Sequence, residues 1–413
     1  MREFFKTIFR GDGVLWIMIL LLFVISSLEM FSAISQVAYK GDNHLAPFIG
    51  HVRYLALGAF AMLIFHHIPY QTIRWFYVFL LPISFVLLVI TPFIGVQLNG
   101  AVRAIKILGF EFQPIELAKW SVVLFLSDIL ARYQNHAHKI PNKPFWWMIV
   151  VLSVICALIA MQNLSTAVIL FGIGMIMMFV GRVGLGRISL VCAGALVIGL
   201  VIFGLSKVIP DQYLPDRMKS GTWEKRITEL FEENSQDGAT KTYIIDDDNR
   251  QIINSKIAIA KGKHPCGPGN STQRDYLPLA FSDFIYAILV EEYGLVGAGI
   301  TMLLYLAILF RAGMIAYKSD TAYPAILVIG LSLLIVVQAW ISMAVTVHLG
   351  PVTGQPLPLI SRGGTSILLT CIYLGIILSI SQYVKDIKNK EEGKNIITAS
   401  NDAENENPKI EEA

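Results

Sequence analysis

Apolar runs long enough to cross a bilayer recur from one end of this chain to the other, and nothing else in the sequence restricts its fold so strongly. A spanning helix needs about 20 mostly apolar residues. A bilayer admits only helices or closed barrels, because backbone polar groups inside it must be satisfied internally. Ten runs are legible, at 14–38, 46–67, 73–94, 114–131, 145–161, 164–180, 187–206, 282–310, 322–346 and 362–383. They predict an all-α polytopic membrane protein of about ten transmembrane helices. Gln162 and Asn163 mark a very tight turn between the fifth and sixth. The first run follows Arg2, Lys6 and Arg10 as in a signal peptide, but nine more spans behind it point to an uncleaved anchor. Composition agrees: 55% of residues are hydrophobic and 15% charged, against roughly a quarter charged in a soluble domain. A net charge of +3 is too small to point to nucleic acid.

Lysine and arginine in short loops set the orientation. With the N-terminus inside, the inner side collects Arg74, Arg132, Lys139, Lys143, Arg182, Arg187, Arg311 and Lys318, and the tail adds Lys385, Lys388 and Lys390. The opposite short loops hold Lys40, Arg53, Arg103, Lys106 and Arg362. Both termini are therefore expected in the cytoplasm. The chain divides into a cytoplasmic N-terminus (1–13), helices one to seven (14–206), a large extracytoplasmic loop (207–281), helices eight to ten (282–384) and a cytoplasmic tail (385–413). From Glu391 the tail is Asn/Glu/Lys-rich, and disorder is expected.

The 207–281 loop is too long for a mere connector. Trp223, Ile227, Leu230 and Phe231 recur at helical spacing, Thr242–Ile245 suggests a short strand, and Ile252–Ala260 reads helical up to Gly262. Pro265, Gly267, Pro268 and Gly269 then turn the backbone sharply. Such a loop is either an ordered cap over the helix ends or the lid and lining of a site.

Polar residues in or beside the apolar runs are the functional candidates. Glu116 and Lys119 in QPIELAKW share one helical face. They read either as a salt bridge locking helices together, or as a cavity pair in which Lys119 meets an anion such as phosphate. Arg103 and Lys106 add cations on the same side, which favours a diphosphate-bearing ligand. Asp283 stands at the mouth of a helix expected to run uninterrupted. It is either a plain carboxylate complementing the helix dipole or a group kept there for chemistry. Of Glu291 and Glu292, one is expected to pair with Lys119 or Arg103 and the other to face polar loops. Glu29 reads as a hydrogen-bonded structural group and Asp128 as interfacial. The Pro and Gly positions of GPVTGQPLPLISRGGT (350–365) prevent a continuous helix, and Arg362 with Gly363 and Gly364 offers an anion site. Three of the four cysteines lie in apolar runs, and Cys266 with His264 supplies too few ligands for a metal.

Three blocks in order carry a resemblance: NGAVRAIKILGFEFQPIELAK (99–119), GPGNSTQRDYLPLAFSDFIYAILVEEYG (267–294) and TGQPLPLISRGGTS (353–366). From MFSA at 30–33 to the last run, the chain resembles the SEDS family (shape, elongation, division and sporulation). Its GNSTQ…YLP and LPLIS forms are nearer to the division members than to the elongation members. The resemblance implies a ten-span peptidoglycan glycosyltransferase of the bacterial cytoplasmic (inner) membrane that polymerises lipid II at the outer face, for septal wall synthesis. It implies that Asp283 is the essential, catalytic aspartate. Gln113, Pro114, Glu116 and Lys119 meet the family's central-cavity pattern, and Asp275 is the acidic residue before Tyr-Leu-Pro. Arg103, Arg362 and Glu292 complete the substrate-binding set. The implied reaction inverts configuration and releases undecaprenyl diphosphate. Its charge would be offset by Lys119, Arg103 and Arg362 or by a divalent cation (Mg²⁺ or Mn²⁺). Implied partners are lipid II, the nascent glycan, a class B penicillin-binding protein (a transpeptidase) and other division membrane proteins. The chain departs from the family where Leu279 and Phe281 replace a Glu and a His, where Arg362 replaces a Tyr, and where His264–Cys266 interrupt a glycine-rich run. A lipid II flippase and a non-catalytic scaffold for a transpeptidase are the rival classes; no clear inverted repeat supports the first.

Overall fold

The computed structural model describes residues 9–33, 46–98, 101–107, 110–134, 140–208, 250–277, 280–350 and 354–405. Four helices come first: α1 (Gly13–Ala33), α2 (Ala46–His67), the short α3 (Tyr70–Ile73) and α4 (Tyr77–Ile94). Strands β1 (Val96–Leu98), β2 (Ala101–Ile107) and β3 (Phe110–Phe112) follow. The rest is helical: α5 (Pro114–Gln134), α6 (Asn142–Ala160), α7 (Leu164–Val180), α8 (Leu185–Val208), α9 (Arg250–Lys261), α10 (Ile285–Tyr317), α11 (Ala322–Thr346) and α12 (Gly364–Asn405). The expected amphipathic helix around Trp223–Phe231 and the strand at Thr242–Ile245 lie outside the described residues, as do 34–38 of the first run.

The chain is an all-α polytopic membrane protein. Among the described residues, seven helices have the length and apolarity of a span: α1, α2, α4, α6, α10, α11 and the first part of α12. A count of ten also needs α5, α7 and α8. The apolar stretches of the last two, Leu164–Val180 and Leu185–Val201, are shorter than those seven, and α5 is charged. Its charge has a structural explanation, because most of α5 is buried inside the bundle. It is buried from Pro114 to Ala131 apart from Ile129 and packs against α4, α6, α7 and α11. A polar helix survives in such a place when its charges are partnered. Lys119 pairs with Glu116 at 2.7 Å. Asp128, expected at the interface, is instead fully buried, where it takes Arg74, the Tyr77 hydroxyl (2.9 Å) and Arg132 (2.6 Å). This basic end of the bundle also pairs Arg311 with Asp12.

The region after α4 forms a three-stranded antiparallel sheet; Val96 pairs with Ala104 and Ile105 with Phe112. Three further expectations are corrected. Arg53, grouped with the outer loops, stands on α2. Glu29 is fully buried, but among the described residues neither carboxylate oxygen has a hydrogen-bond partner. Past Glu391 the polar tail continues α12 to Asn405. Its Lys, Glu and Ala are good helix formers, and Lys388 meets Glu392 at 3.5 Å at the stabilising i,i+4 spacing.

Candidate active site

Asp283 does not cap a helix. Phe284 occupies the N-cap of α10, which leaves Asp283 one residue outside it, with its carboxylate accepting from Ser282 Oγ at 2.9 Å. Glu116 arrives from the first turn of α5, which Pro114 opens. Thr365, in the first turn of α12, donates to the Glu111 carbonyl (2.8 Å) and accepts from the Gln113 N–H (3.2 Å), tying β3 and α5 to α12.

Between α11 and α12 the backbone from Gly354 to Gly363 is irregular. Buried non-helical backbone needs its polar groups satisfied. Here side chains of separate helices do it: Gln338 of α11 donates to the Pro356 carbonyl (3.0 Å), Tyr305 of α10 to Pro358, and Ser26 of α1 to Leu359 (2.7 Å). Leu359 sits at φ 67°, an uncommon conformation for a bulky residue that needs such support. The segment is thus held rigidly against the site. Gly354, at φ 61°, is a point of close approach in the site. A Cβ there would lie 3.1 Å from Arg103 Nη1 and 3.5 Å from Asp283 Oδ2, so guanidinium and carboxylate converge on one glycine.

These elements enclose a cavity of about 570 Å³. Asp283, Glu111 and Glu116 supply its carboxylates and Arg53, Arg103 and Arg362 its guanidinium groups, with Gln113, Asn163, Thr166 and Gln355 as neutral polar lining. The structure therefore brings Asp283, Glu116, Arg103 and Arg362 together. Two of the chain's departures from the family also meet here. The Arg362 guanidinium lies 5.4 Å from the Phe281 ring centroid, and the Arg362 N–H donates to the Phe281 carbonyl at 2.9 Å.

Three predicted residues lie elsewhere. Lys119, 3% exposed, is absent from the cavity lining; its Nζ bonds Glu116 and, at 2.7 Å, Gln338 Oε1. It holds two site-forming elements instead of presenting charge to a ligand. Glu292 turns from the cavity to accept from Ser32 Oγ and the Gly269 and Ser271 N–H groups. Asp275 lies exposed on a 3₁₀ turn at Gln273–Asp275, 4.0 Å from Arg274. Neither Glu291 nor Glu292 takes the expected partner; both face the polar loop at 269–273. Arg53, Glu111, Thr166 and Gln355 are lining residues that sequence reasoning missed; for Arg53 a cation on an apolar helix was the available signal. For a divalent cation the donors do not fit well: among the described residues no three His, Cys, Asp or Glu side chains cluster.

Cys266, outside the spanning helices, donates through Sγ to the Glu291 carbonyl at 3.3 Å. Burial and then the Glu291 and Glu292 carboxylates push its thiol above the ordinary value. The thiolate is the reactive form, so maleimide labelling in a Cys192→Ser background should be slow near pH 7. It should climb through a midpoint above the ordinary thiol value of about 8.5. A membrane-impermeant maleimide applied to intact cells reports in the same experiment which side of the membrane carries this loop.

Fold and cavity together define a polytopic membrane protein with an arginine- and carboxylate-lined chamber at one end of its bundle. The family of cell cycle proteins that groups FtsW, RodA and SpoVE matches residues 12–386, and the chain belongs to it. Over 358 residues it is 32% identical to the probable peptidoglycan glycosyltransferase FtsW of Pseudomonas fluorescens (strain SBW25), covering 84% of this chain and 82% of that one. Over 386 residues it is 29% identical to stage V sporulation protein E of Bacillus subtilis (strain 168), covering 90% and 97%. Its fold matches the crystal structure of the Thermus thermophilus rod shape determining protein RodA with a TM-score of 0.62, at 19% identity over 90% of this chain and 97% of that one. A chain from a structure of a peptidoglycan synthase complex matches at 0.67, with 19% identity over 91% and 98%.

Proposed function

We propose that this chain is a peptidoglycan glycosyltransferase that polymerises lipid II at the outer face of the bacterial cytoplasmic membrane, for septal wall synthesis, with ten spans and both termini inside. The observation that carries this reading is the convergence of one aspartate and three arginines on a single cavity. A sugar hydroxyl is a weak nucleophile and a diphosphate is an anionic leaving group, so the reaction needs a base and fixed positive charge. Asp283 takes the proton of the GlcNAc 4-hydroxyl as its oxygen bonds to the anomeric carbon of the growing chain's MurNAc. The bond from that carbon to the diphosphate oxygen breaks, its electron pair leaves with undecaprenyl diphosphate, and configuration inverts. Arg53, Arg103 and Arg362 stabilise the departing charge. Lys119 positions Glu116 and Gln338.

The test is polymerisation of fluorescent lipid II by the purified chain in liposomes, with and without a class B penicillin-binding protein and Mg²⁺ or Mn²⁺. Glycan products resolved by length support the reading. Translocation of lipid II with no polymer under any of these conditions makes the chain a flippase instead.

A further inference from the structure

Helix α10 is not continuous. At Gly294, φ 69° and ψ −170° break it, leaving a short helix from Ile285 to Tyr293 that begins two residues after Asp283. A break removes the i→i−4 partners of the carbonyls just before it. Here the Glu291 and Glu292 carbonyls accept instead from the Cys266 N–H (3.2 Å) and the Gly267 N–H (3.0 Å) of the preceding loop. The two backbones cross glycine to glycine. A Cβ on Gly294 would lie 3.1 Å from the Gly262 carbonyl oxygen, and one on Gly262 would lie 2.4 Å from that of Val290.

The side chains complete the lock. The Glu291 carboxylate, 1% exposed, accepts from Ser271 Oγ, the Thr272 N–H (3.2 Å), Thr272 Oγ1 (3.0 Å) and the Gln273 N–H (3.2 Å). Lys261 Nζ stands 3.9 Å away. All four donors belong to one strap, whereas Glu292 divides its bonds between that strap and Ser32 of α1. Such charge-assisted bonds are the strong ones. Leu277 and Ala280, just after the strap, join Ala258 of α9 and Phe284, Ala287 and Ile288 in a small hydrophobic core, while Ile285, Tyr286, Leu289 and Val290 of the short helix pack into the bundle core.

We propose that Glu291 is a positioning residue for Asp283: by clamping the 269–273 strap onto the short helix it fixes the unit, set off at Gly294, that carries the aspartate. This rests on Asp283 being the base. Arg53 and Arg103 stand on α2 and β2, outside that unit, and Arg362, although its N–H bonds the Phe281 carbonyl, stands on the 354–363 segment that Gln338, Tyr305 and Ser26 hold; loosening the clamp therefore shifts the base more than the groups that bind the substrate.

The full chain in liposomes tests it. Glu291→Gln keeps the side-chain volume but turns one acceptor oxygen into an N–H donor aimed at strap donors. Turnover should fall about 10- to 100-fold, the effect of an ångström-scale misplacement, while KM for lipid II stays within about twofold. Hydrogen exchange should accelerate at the amides of Cys266, Gly267 and Ser271–Gln273, with α5 still protected. Wild-type turnover, unchanged strap exchange, or loss of turnover together with α5 protection each overturns the proposal. Ser271→Ala, which removes a single donor, supplies the same comparison if Glu291→Gln does not fold. Polymer formed by Asp283→Asn would instead sink the base assignment, leaving exchange alone to judge the clamp.

Discussion

Asp283→Asn is expected to fold, to bind lipid II and to form no measurable glycan. The substitution keeps the shape of a side chain that is 9% exposed and lies outside the cap of α10, so neither packing nor helix initiation changes. The three arginines that line the cavity remain, and affinity for an anionic lipid should survive. What is lost is the proton acceptor, and a positioned general base contributes typically about 10²–10⁴-fold. Turnover should fall by at least that factor with KM little altered, the signature of an interaction made only in the transition state. Parallel thermal unfolding and lipid II binding measurements separate this outcome from misfolding.

Lys119→Met is expected to destabilise the bundle more than any other single change in the site. It leaves the Glu116 carboxylate without the ammonium group 2.7 Å away and removes the donor that orients Gln338, which in turn holds the Pro356 carbonyl at the cavity wall. Breaking one side of a buried pair costs about 3–5 kcal/mol, whereas replacing both partners with neutral groups is often close to neutral. Because Glu116 also borders the cavity, water there softens the penalty and the lower end of that range is expected. Glu116→Gln combined with Lys119→Met should therefore recover most of the lost thermal stability. If Lys119 served the substrate's diphosphate instead, the single variant would unfold normally and show only a raised KM, and the second substitution would restore nothing.

What was legible in the sequence, and what was not, follows from the range of the interactions. Helices α7 and α11 occupy the predicted 164–180 and 322–346; the first starts where the turn residues Gln162 and Asn163 end, with Asn163 accepting from the Thr166 N–H. Asp283, Glu116, Arg103 and Arg362 could be found because a charge beside a bilayer-spanning run is expensive enough to demand a purpose. The short sheet announced itself only by Asn99-Gly100 between β-branched and aromatic stretches, a hairpin signal easily lost among apolar spans. Gly294 gave no local warning, since glycine is tolerated inside apolar helices. Its break exists because Cys266 and Gly267 bring N–H groups from far upstream. Lys119 faced the same limit: its partner Gln338 lies 219 residues away, and no spacing rule reaches that far. The departures at Phe281 and Arg362 looked unrelated in the sequence, and only the fold shows them touching.

The account depends on a carboxylate at position 283 acting as a base, and chemical rescue of Asp283→Ala asks this most directly. Reconstituted Asp283→Ala should be inactive on lipid II alone. Added formate, which can occupy the vacated space and accept a proton, should restore glycan synthesis in proportion to its concentration, whereas formamide should not. Glycan made at the wild-type rate by Asp283→Ala without any additive, or equal rescue by formamide, would contradict it.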